Sequence, residues 1–214
     1  MKTLHIEVFH DTVCPWCRIG KKNLLTALEE LGKSPEEIDI SYLTFFLNRD
    51  IPVEGVDYVK YLTDKFAGIP LSNINKRVTA IGKESGVSFN FDKITIIPNT
   101  LLSNTLILLS PANKKGQMID RLGELYFEQG VNIGDIHVLL NLASEVGLSV
   151  TSEQLTDLQN KDQVLQDDEY GKGLGITGVP FFIFEDKYAL SGAQPVSAFK
   201  NVIERLDDEL EVLL

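Results

Sequence analysis

The sequence predicts an α/β protein in which a long helical segment separates two parts of one α/β domain. Three observations favour this fold class: strand-like runs flank a helical pattern within the first fifty residues, helical periodicity dominates from about residue 53 to 171, and strand character returns near residue 181. We therefore divide the chain into a first α/β part at 1–52, a helical insertion at 53–165 and a second α/β part at 166–214.

The first part has the pattern of a strand, a helix and a second strand. Residues 4–9 alternate, with apolar residues in excess, which is typical of a central strand. Leucines recur at helical spacing across 15–31, and Gly32 followed by Ser34-Pro35 is a helix-ending signal. Residues 38–46 form the second predicted strand. The order predicts a βαβ unit with parallel strands.

Amphipathic helical patterns fill the middle of the chain. Asp135 and Ser152 are the expected N-cap residues of two of these helices. The apolar runs at 89–91 and 94–97 are expected to be loops. Helices are expected, with glycine or proline between them, at 56–66, 73–85, 100–109, 117–129 and 136–146.

The second α/β part begins with a predicted hairpin. Residues 181–184 and 188–190 are the expected strands, and 185–187 the turn. A final helix is expected from Val196 to about residue 210, with apolar residues at the helical period, namely Phe199, Val202, Ile203, Leu206 and Leu210.

The overall composition is that of a globular protein with an acidic surface. Of the 214 residues, 43% are hydrophobic and 24% are charged, and the net charge is −11. An acidic chain without clustered Lys and Arg argues against nucleic acid or an anionic membrane as a partner. The N-terminal run is interrupted by His5 and Glu7, unlike a signal peptide. We expect a soluble, cytoplasmic protein with no membrane partner.

The two cysteines of the chain, Cys14 and Cys17, flank Pro15-Trp16 where the first strand gives way to the helix. A helix N-terminus has a partial positive charge and free N–H groups, which favour a thiolate over a thiol. Pro15 lies at the first helical position, where its missing N–H costs nothing. We expect Cys14 to be the exposed sulfur that attacks a disulfide, and Cys17, one turn further in, to resolve the mixed disulfide.

Other interpretations of the cysteine pair remain open. A structural disulfide across so short a loop would constrain the unfolded chain very little. A zinc site needs more ligands, and His5, His10 and His137 do not repeat the cysteine spacing, although a dimer could share zinc across four cysteines. Two incidental buried cysteines are disfavoured by their position at a strand-to-helix junction. We predict no metal within the single chain and assign no histidine to catalysis.

Segments near both ends of the chain match one family pattern in the same order. They are 11–21, which contains the Cys-Pro-Trp-Cys sequence followed by Ile-Gly-Lys, and 178–182, which reads Gly-Val-Pro-Phe-Phe. Three further segments of this chain match the same family pattern, namely Asn99-Thr100, 145–148 and 191–195. With these motifs the chain resembles the DsbA-type oxidoreductases, and more narrowly their FrnE-like branch.

The resemblance implies a thioredoxin fold of the DsbA type with a large all-helical insertion that covers the site as a lid. It implies a cis peptide bond before Pro180, which would lie against the cysteine pair, and a Val179 backbone that pairs with an incoming polypeptide strand. The implied function is that of a thiol–disulfide oxidoreductase, or isomerase, in which the Cys14–Cys17 disulfide replaces a separate cofactor. The expected partner is a disulfide-containing polypeptide or a low-molecular-weight thiol, with glutathione as a conceivable co-substrate. The sequence does not set the oligomeric state.

Three positions near the pair carry open questions. Trp16 is either an apolar platform for substrate or a packing residue. Asn104 stands where the family usually has a histidine, so the function of that histidine is in doubt here. Arg18 stands where the family often has an aromatic residue; it could stabilise the Cys14 thiolate, but we expect it to be solvated.

Two other functional classes remain alternatives. The chain is similar to kappa-class glutathione transferases and chromene-carboxylate isomerases, but these typically have serine in place of Cys14 and lack the second cysteine. A peptide-binding chaperone would use the groove between the two lobes and would tolerate Cys14→Ser. Because Pro15-Trp16 carries no charge, we expect a less oxidising disulfide, suited to reduction or shuffling.

Overall fold

The computed structural model describes the backbone of residues 3–211 and the side chains of residues 3–209. The first α/β part consists of β1 (Leu4–His10), α1 (Pro15–Glu30) and β2 (Ile38–Thr44). The middle of the chain contains β3 (Val56–Asp57), α2 (Tyr58–Lys65), α3 (Leu71–Glu84), β4 (Ile96–Ile97), α4 (Leu101–Leu109), α5 (Ala112–Gly123), α6 (Ile136–Glu145), α7 (Ser152–Thr156) and α8 (Leu158–Gly173). The chain ends with β5 (Phe181–Phe184), β6 (Tyr188–Ser191) and α9 (Val196–Glu211).

One four-stranded sheet, in the order β2-β1-β5-β6, supports the cysteine pair. Strand β1 pairs with β2 in parallel and with β5 antiparallel, so the predicted βαβ unit and the central position of β1 are confirmed. The hairpin β5–β6 is also confirmed; Glu185 and Asp186 in its turn have φ of 50° and 54°, as a type I′ turn requires. Helices α1 and α9 pack together on one face of the sheet over buried residues such as Phe182 and Phe199.

Helix α1 begins and ends where the sequence signals predict. Cys14 is the N-cap residue and Pro15 the first helical residue. Gly32, with φ of 66°, follows the C-cap Leu31 in the left-handed conformation that glycine adopts without strain. The structure of this helix therefore fixes both cysteines at its N-terminal turn.

The insertion is predominantly helical, but it also contains a two-stranded antiparallel ribbon. The run at 94–97, expected to be loop, contributes β4, and the start of the expected helix 56–66 contributes β3. Asp57 explains the later start of α2, because its carboxylate accepts a hydrogen bond from Lys60 N at 2.7 Å and caps the helix. The run at 89–91 ends in a single 3₁₀ turn at Phe91–Lys93.

Two further helix boundaries differ from the prediction. Helix α5 begins at Ala112 rather than 117 and contains Gly116, where an added Cβ would lie 3.3 Å from Tyr42 Oη. This glycine permits close packing of α5 on β2 and does not break the helix. Thr151, rather than Ser152, caps α7, because Thr151 forms a reciprocal capping box with Gln154.

Helix α8 connects the insertion to the second α/β part, and the expected division at 165/166 lies inside it. Asp168 on this helix is fully buried; it accepts a hydrogen bond from Phe46 N at 2.9 Å and pairs with Arg49 and Lys172. These contacts attach α8 to the segment that follows β2. Within residues 3–211, no helix combines the length and the apolar composition needed to cross a bilayer.

Candidate active site

The two sulfurs are adjacent at the N-terminus of α1. Cys17 N donates a hydrogen bond to Cys14 Sγ at 3.2 Å, so the sulfur of the N-cap residue occupies the place of a capping oxygen. The Cys14 thiol in turn donates to the Val179 carbonyl oxygen at 3.5 Å. Both cysteines are unpaired thiols in this structure. An anion at the Cys14 sulfur would be favoured by the N–H group and by the helix dipole.

Both cysteines are buried, which corrects the expectation of an exposed Cys14. The exposed fraction is 2% for Cys14 and 7% for Cys17. The loop that carries Val179 lies against the Cys14 sulfur and covers it. Burial, together with the adjacent Cys14 sulfur, raises the pKa of Cys17 well above its usual value. Cys17 therefore remains a thiol until a base removes its proton.

The loop before β5 has the predicted conformation. The Val179–Pro180 peptide bond is cis, as the resemblance implies. Pro180 is buried and its carbonyl accepts a hydrogen bond from Gly192 N at 2.8 Å, whereas Val179 is half-buried. Gly20 makes room for this loop, because an added Cβ would lie 2.9 Å from Pro180 Cγ. The structure thus brings Cys14, Cys17, Val179 and Pro180 together.

Trp16 and Arg18 both face the helical insertion. Trp16 is half-buried and packs against the apolar core of the insertion. Arg18 donates to Ser88 O at 2.8 Å and pairs with Glu128, so the expectation of a solvated Arg18 is wrong. The guanidinium also lies over the Phe89 ring, 5.7 Å from its centroid. Arg18 therefore connects α1 to the insertion.

Asn104 belongs to a buried polar cluster beneath the cysteine loop. It is 1% exposed, and its Nδ2 donates to Thr100 O at 2.9 Å and to Asp11 Oδ1 at 3.4 Å. Asp11 Oδ2 accepts from Leu47 N at 2.9 Å, which fixes the loop between β1 and α1. Burial raises the pKa of Asp11, although these hydrogen bonds oppose the shift. Asn104 thus helps to fix the loop between β1 and α1 through its contact with Asp11.

The sequence does not identify His10 and Lys21 as part of the site. They line a small cavity together with Cys14 and Cys17, and both are buried. Lys21 Nζ donates to Asp120 Oδ1 at 2.6 Å and to Gly116 O at 3.0 Å. Two features of the sequence point to Lys21: it ends the family motif at 11–21, and it is a charged residue one helical turn after Cys17, on the helix face that Leu24 also uses.

Comparison with known families identifies the fold. A family model described as a DSBA-like thioredoxin domain matches residues 5–204. The chain belongs to this family. The predicted thioredoxin fold of the DsbA type with a helical insertion is thereby confirmed, and the cysteine pair and the loop of Pro180 lie within the DSBA-like match.

Relatives of this DSBA-like protein share nearly its whole length. The uncharacterized protein YwbO of Bacillus subtilis is 30% identical over 214 residues, which cover 97% of this chain and 98% of that protein. The "probable DsbA oxidoreductase" of Streptomyces coelicolor has a TM-score of 0.79 at 23% identity, over 94% of this chain and 89% of that one. The cytosolic disulfide reductase DsbM of Pseudomonas aeruginosa, solved with GSH, has a TM-score of 0.65 at 19% identity, over 94% of this chain and 98% of that one. At these identities the two structures share the fold.

Proposed function

We propose that this protein is a thiol–disulfide oxidoreductase that acts through the Cys14–Cys17 dithiol. One observation carries the proposal: the Cys14 sulfur lies at a helix N-terminus, 3.2 Å from Cys17 N and 3.5 Å from the carbonyl oxygen of Val179, next to a cis-proline. The helix N-terminus and the Cys17 N–H favour a thiolate at Cys14, and Cys17 supplies a second thiol one turn away. Membership of the DSBA-like family supports the same class of reaction.

The reaction proceeds by two exchanges. The Cys14 thiolate attacks one sulfur of a substrate disulfide, the other sulfur leaves as a thiolate, and a mixed disulfide forms. Cys17, once deprotonated, attacks the Cys14 sulfur, which releases the second substrate thiolate and leaves the Cys14–Cys17 disulfide. The substrate gains two electrons and the protein loses two. Two molecules of a low-molecular-weight thiol then reduce the Cys14–Cys17 disulfide, are joined to each other as a disulfide, and complete the cycle.

The substrate is a disulfide-containing polypeptide or a small disulfide. An extended polypeptide would pair with the backbone at Val179, which would hold its sulfur in line with Cys14, and Trp16 would contact its side chains. No further cofactor is needed, because the cysteine pair carries the electrons. The FrnE-like assignment, which rests on the sequence motifs, belongs to this proposal, as do a cytoplasmic location and the reducing direction. The name of DsbM as a cytosolic disulfide reductase supports the location and the direction.

A glutathione-dependent function is the second candidate. It is favoured by the fold shared with DsbM in complex with GSH. In that case glutathione would form the mixed disulfide with Cys14, and release would depend on a second glutathione instead of Cys17. The two candidates therefore differ in whether Cys17 is needed.

Serine variants test the proposal directly. The reduced protein, Cys14→Ser and Cys17→Ser are mixed with oxidised glutathione, quenched with acid and examined by mass spectrometry. We expect an intramolecular disulfide in the unsubstituted protein, a stable glutathione adduct on Cys17→Ser, and no reaction of Cys14→Ser. Equal reaction of Cys14→Ser and the unsubstituted protein would contradict the proposal. A glutathione adduct that persists on the unsubstituted protein would favour the second candidate.

A further inference from the structure

The turn between β6 and α9 lies beside the loop of Pro180, although its residues take no part in the two exchanges. It spans residues 191–195, one of the segments that match the family pattern. Gly192 N donates a hydrogen bond to Pro180 O at 2.8 Å, which extends the pairing of β5 with β6 by one bond. Gly192 has φ of 82°, in the left-handed region that glycine adopts without strain. The turn therefore holds the residue that follows Val179.

Two hydrogen bonds inside the turn fix its shape. Gln194 N donates to Gly192 O at 2.9 Å, and Gln194 Nε2 donates to Ser191 O at 2.7 Å. Because both bonds join Gln194 to the start of the turn, the two ends of this short segment move together. A group that holds the Gln194 carbonyl thus also holds the N–H of Gly192.

Asn23 is the residue that attaches the turn to α1. Its Nδ2 donates to Gln194 O at 2.8 Å, and its side chain is only 7% exposed. Asparagine is unfavourable in the middle of a helix, because its side chain competes for nearby backbone groups. At position 23 the side chain instead reaches a carbonyl about 170 residues away in sequence. The bond to the turn accounts for an asparagine at this buried position.

Helix α1 also contacts the turn one helical turn before Asn23. An added Cβ at Gly20 would lie 2.9 Å from Pro180 Cγ and 3.4 Å from Ala193 Cα. Gly20 and Asn23 are three residues apart, so they are neighbours on the helix surface. The helix that carries both cysteines at its N-terminus therefore meets the turn by close packing at one point and by a hydrogen bond at the next.

We propose that Asn23 is a positioning residue, which fixes the Val179 backbone at the place where a polypeptide substrate is held for attack by Cys14. Asn23 fixes the turn, and the turn holds Pro180 through its carbonyl. The preceding carbonyl, that of Val179, lies 3.5 Å from the Cys14 sulfur. Asn23 matters most for substrates that pair with this backbone. The inference rests on the proposed dithiol function and on the proposed pairing at Val179.

Two chromogenic mixed disulfides separate the positioning of a polypeptide from the reactivity of the Cys14 sulfur. In the first, the single cysteine of an uncharged, extended peptide is joined to 2-nitro-5-thiobenzoate. In the second, 2-mercaptoethanol replaces the peptide and offers no backbone to pair with Val179. The Cys14 thiolate attacks the alkyl sulfur, a new disulfide bond forms there, and the coloured thiolate leaves with the electron pair of the broken bond. Because the leaving group is the same, the ratio of the two rate constants measures the contribution of the peptide backbone.

Asn23→Leu removes the donor but keeps a side chain of similar size. Reduced protein is mixed with each probe in stopped flow, and the first release of the coloured thiolate is recorded. We expect the ratio of the peptide rate constant to the mercaptoethanol rate constant to fall by about 10-fold, because a small misplacement of a bound substrate slows attack strongly. Asn160→Leu is the matched control, since Asn160 Nδ2 donates to Gln154 O at 2.9 Å and joins α8 to α7. Its ratio should equal that of the unsubstituted protein.

Gly192→Ala displaces the same turn without a change at Asn23. With φ of 82° an alanine is strained at this position, but no atom would lie within 4 Å of the added Cβ. We expect the ratio of rate constants to fall in this variant as well. The variant also tests the proposal if Asn23→Leu is too unstable to assay.

Each outcome bears on a specific claim. An unchanged ratio in either Asn23→Leu or Gly192→Ala would overturn the inference but leave the dithiol function intact. An equal loss with both probes in Asn23→Leu, or an equal fall of the ratio in Asn160→Leu, would reduce Asn23 to a structural contact and would also overturn the inference. Equal release of the coloured thiolate by Cys14→Ser and the unsubstituted protein would overturn the dithiol function itself.

Discussion

Cys14 and Cys17 are chemically identical side chains that their surroundings make different. Cys14 caps a helix and accepts a hydrogen bond from Cys17 N, whereas burial and the adjacent Cys14 sulfur raise the pKa of Cys17. The helix N-terminus and the Cys17 N–H favour a negative charge on the first sulfur, whereas the adjacent Cys14 sulfur opposes one on the second. This difference is the basis of the proposed order of the two exchanges.

At the same scale, neutral His10 makes the stability of the protein sensitive to acid. Its pKa is about 3 in the folded state against 6.5 when unperturbed, so below pH 6.5 the unfolded chain binds a proton that the folded chain does not. Relative to His10→Phe, the free energy of unfolding should therefore fall by about 1.4 kcal/mol for each pH unit between pH 6.5 and 3. Urea unfolding of both proteins at several pH values measures this difference.

The Phe variant is a matched one, because an aromatic ring at position 10 can keep the edge contact with Tyr42, whose centroid is 6.0 Å away. The raised pKa of Asp11 has the opposite effect, because the free energy of unfolding falls as the pH rises through that pKa. This effect is common to both proteins. A constant difference in stability across the pH range would contradict a buried neutral His10.

At the scale of elements, α1 must approach the loop of Pro180 closely, and Gly20 permits this. An alanine Cβ at position 20 would lie 2.9 Å from Pro180 Cγ and 3.0 Å from Phe182 Cζ, both on rigid rings. Gly20→Ala should therefore lower the free energy of unfolding by about 1–3 kcal/mol, as overpacked cores do. It should also slow attack by Cys14, because the loop against which Cys14 rests would be displaced. Chemical denaturation measures the first effect. The rate at which the reduced protein releases the first coloured thiolate from 5,5′-dithiobis(2-nitrobenzoate) measures the second.

Gly173→Ala is the control for this prediction. Gly173 also lies in a helix, but no atom would lie within 4 Å of an added Cβ. The substitution should be neutral or should stabilise by up to about 1 kcal/mol, because alanine favours helix over glycine. Equal destabilisation by both substitutions would show that the contact with Pro180 is not the cause.

The sequence predicts best those elements that local signals define. The Pro15 start and Gly32 end of α1, the β5–β6 hairpin and the Asp135 cap of α6 are all confirmed, because each depends on residues a few positions apart. The break expected at Gly116 is wrong, since the reason for glycine there is Tyr42, which is distant in sequence. The β3–β4 ribbon escapes prediction because two-residue strands have no periodicity to detect.

At the scale of the whole molecule, ion pairs between α1 and the insertion hold the two lobes against each other. Arg18 pairs with Glu128 and Lys21 with Asp120, and neither partner can be foreseen because about a hundred residues separate them. Apolar contacts continue across the same boundary, where Ile19 and Trp16 of α1 join the core of the insertion. Motifs in the sequence are enough to predict that Cys14, Cys17, Val179 and Pro180 lie together, but not the small cavity that the two cysteines line.

The measurement that tests the central claim most directly is the equilibrium between the dithiol and the disulfide of the whole protein. The protein is equilibrated with glutathione buffers of graded potential, quenched with acid and alkylated, and the oxidised fraction is determined by mass. We predict a reversible intramolecular Cys14–Cys17 disulfide with a potential nearer to about −270 mV than to about −120 mV, because the Pro15-Trp16 pair adds no positive charge to stabilise the reduced form. Absence of an intramolecular disulfide at every buffer potential would contradict the dithiol mechanism.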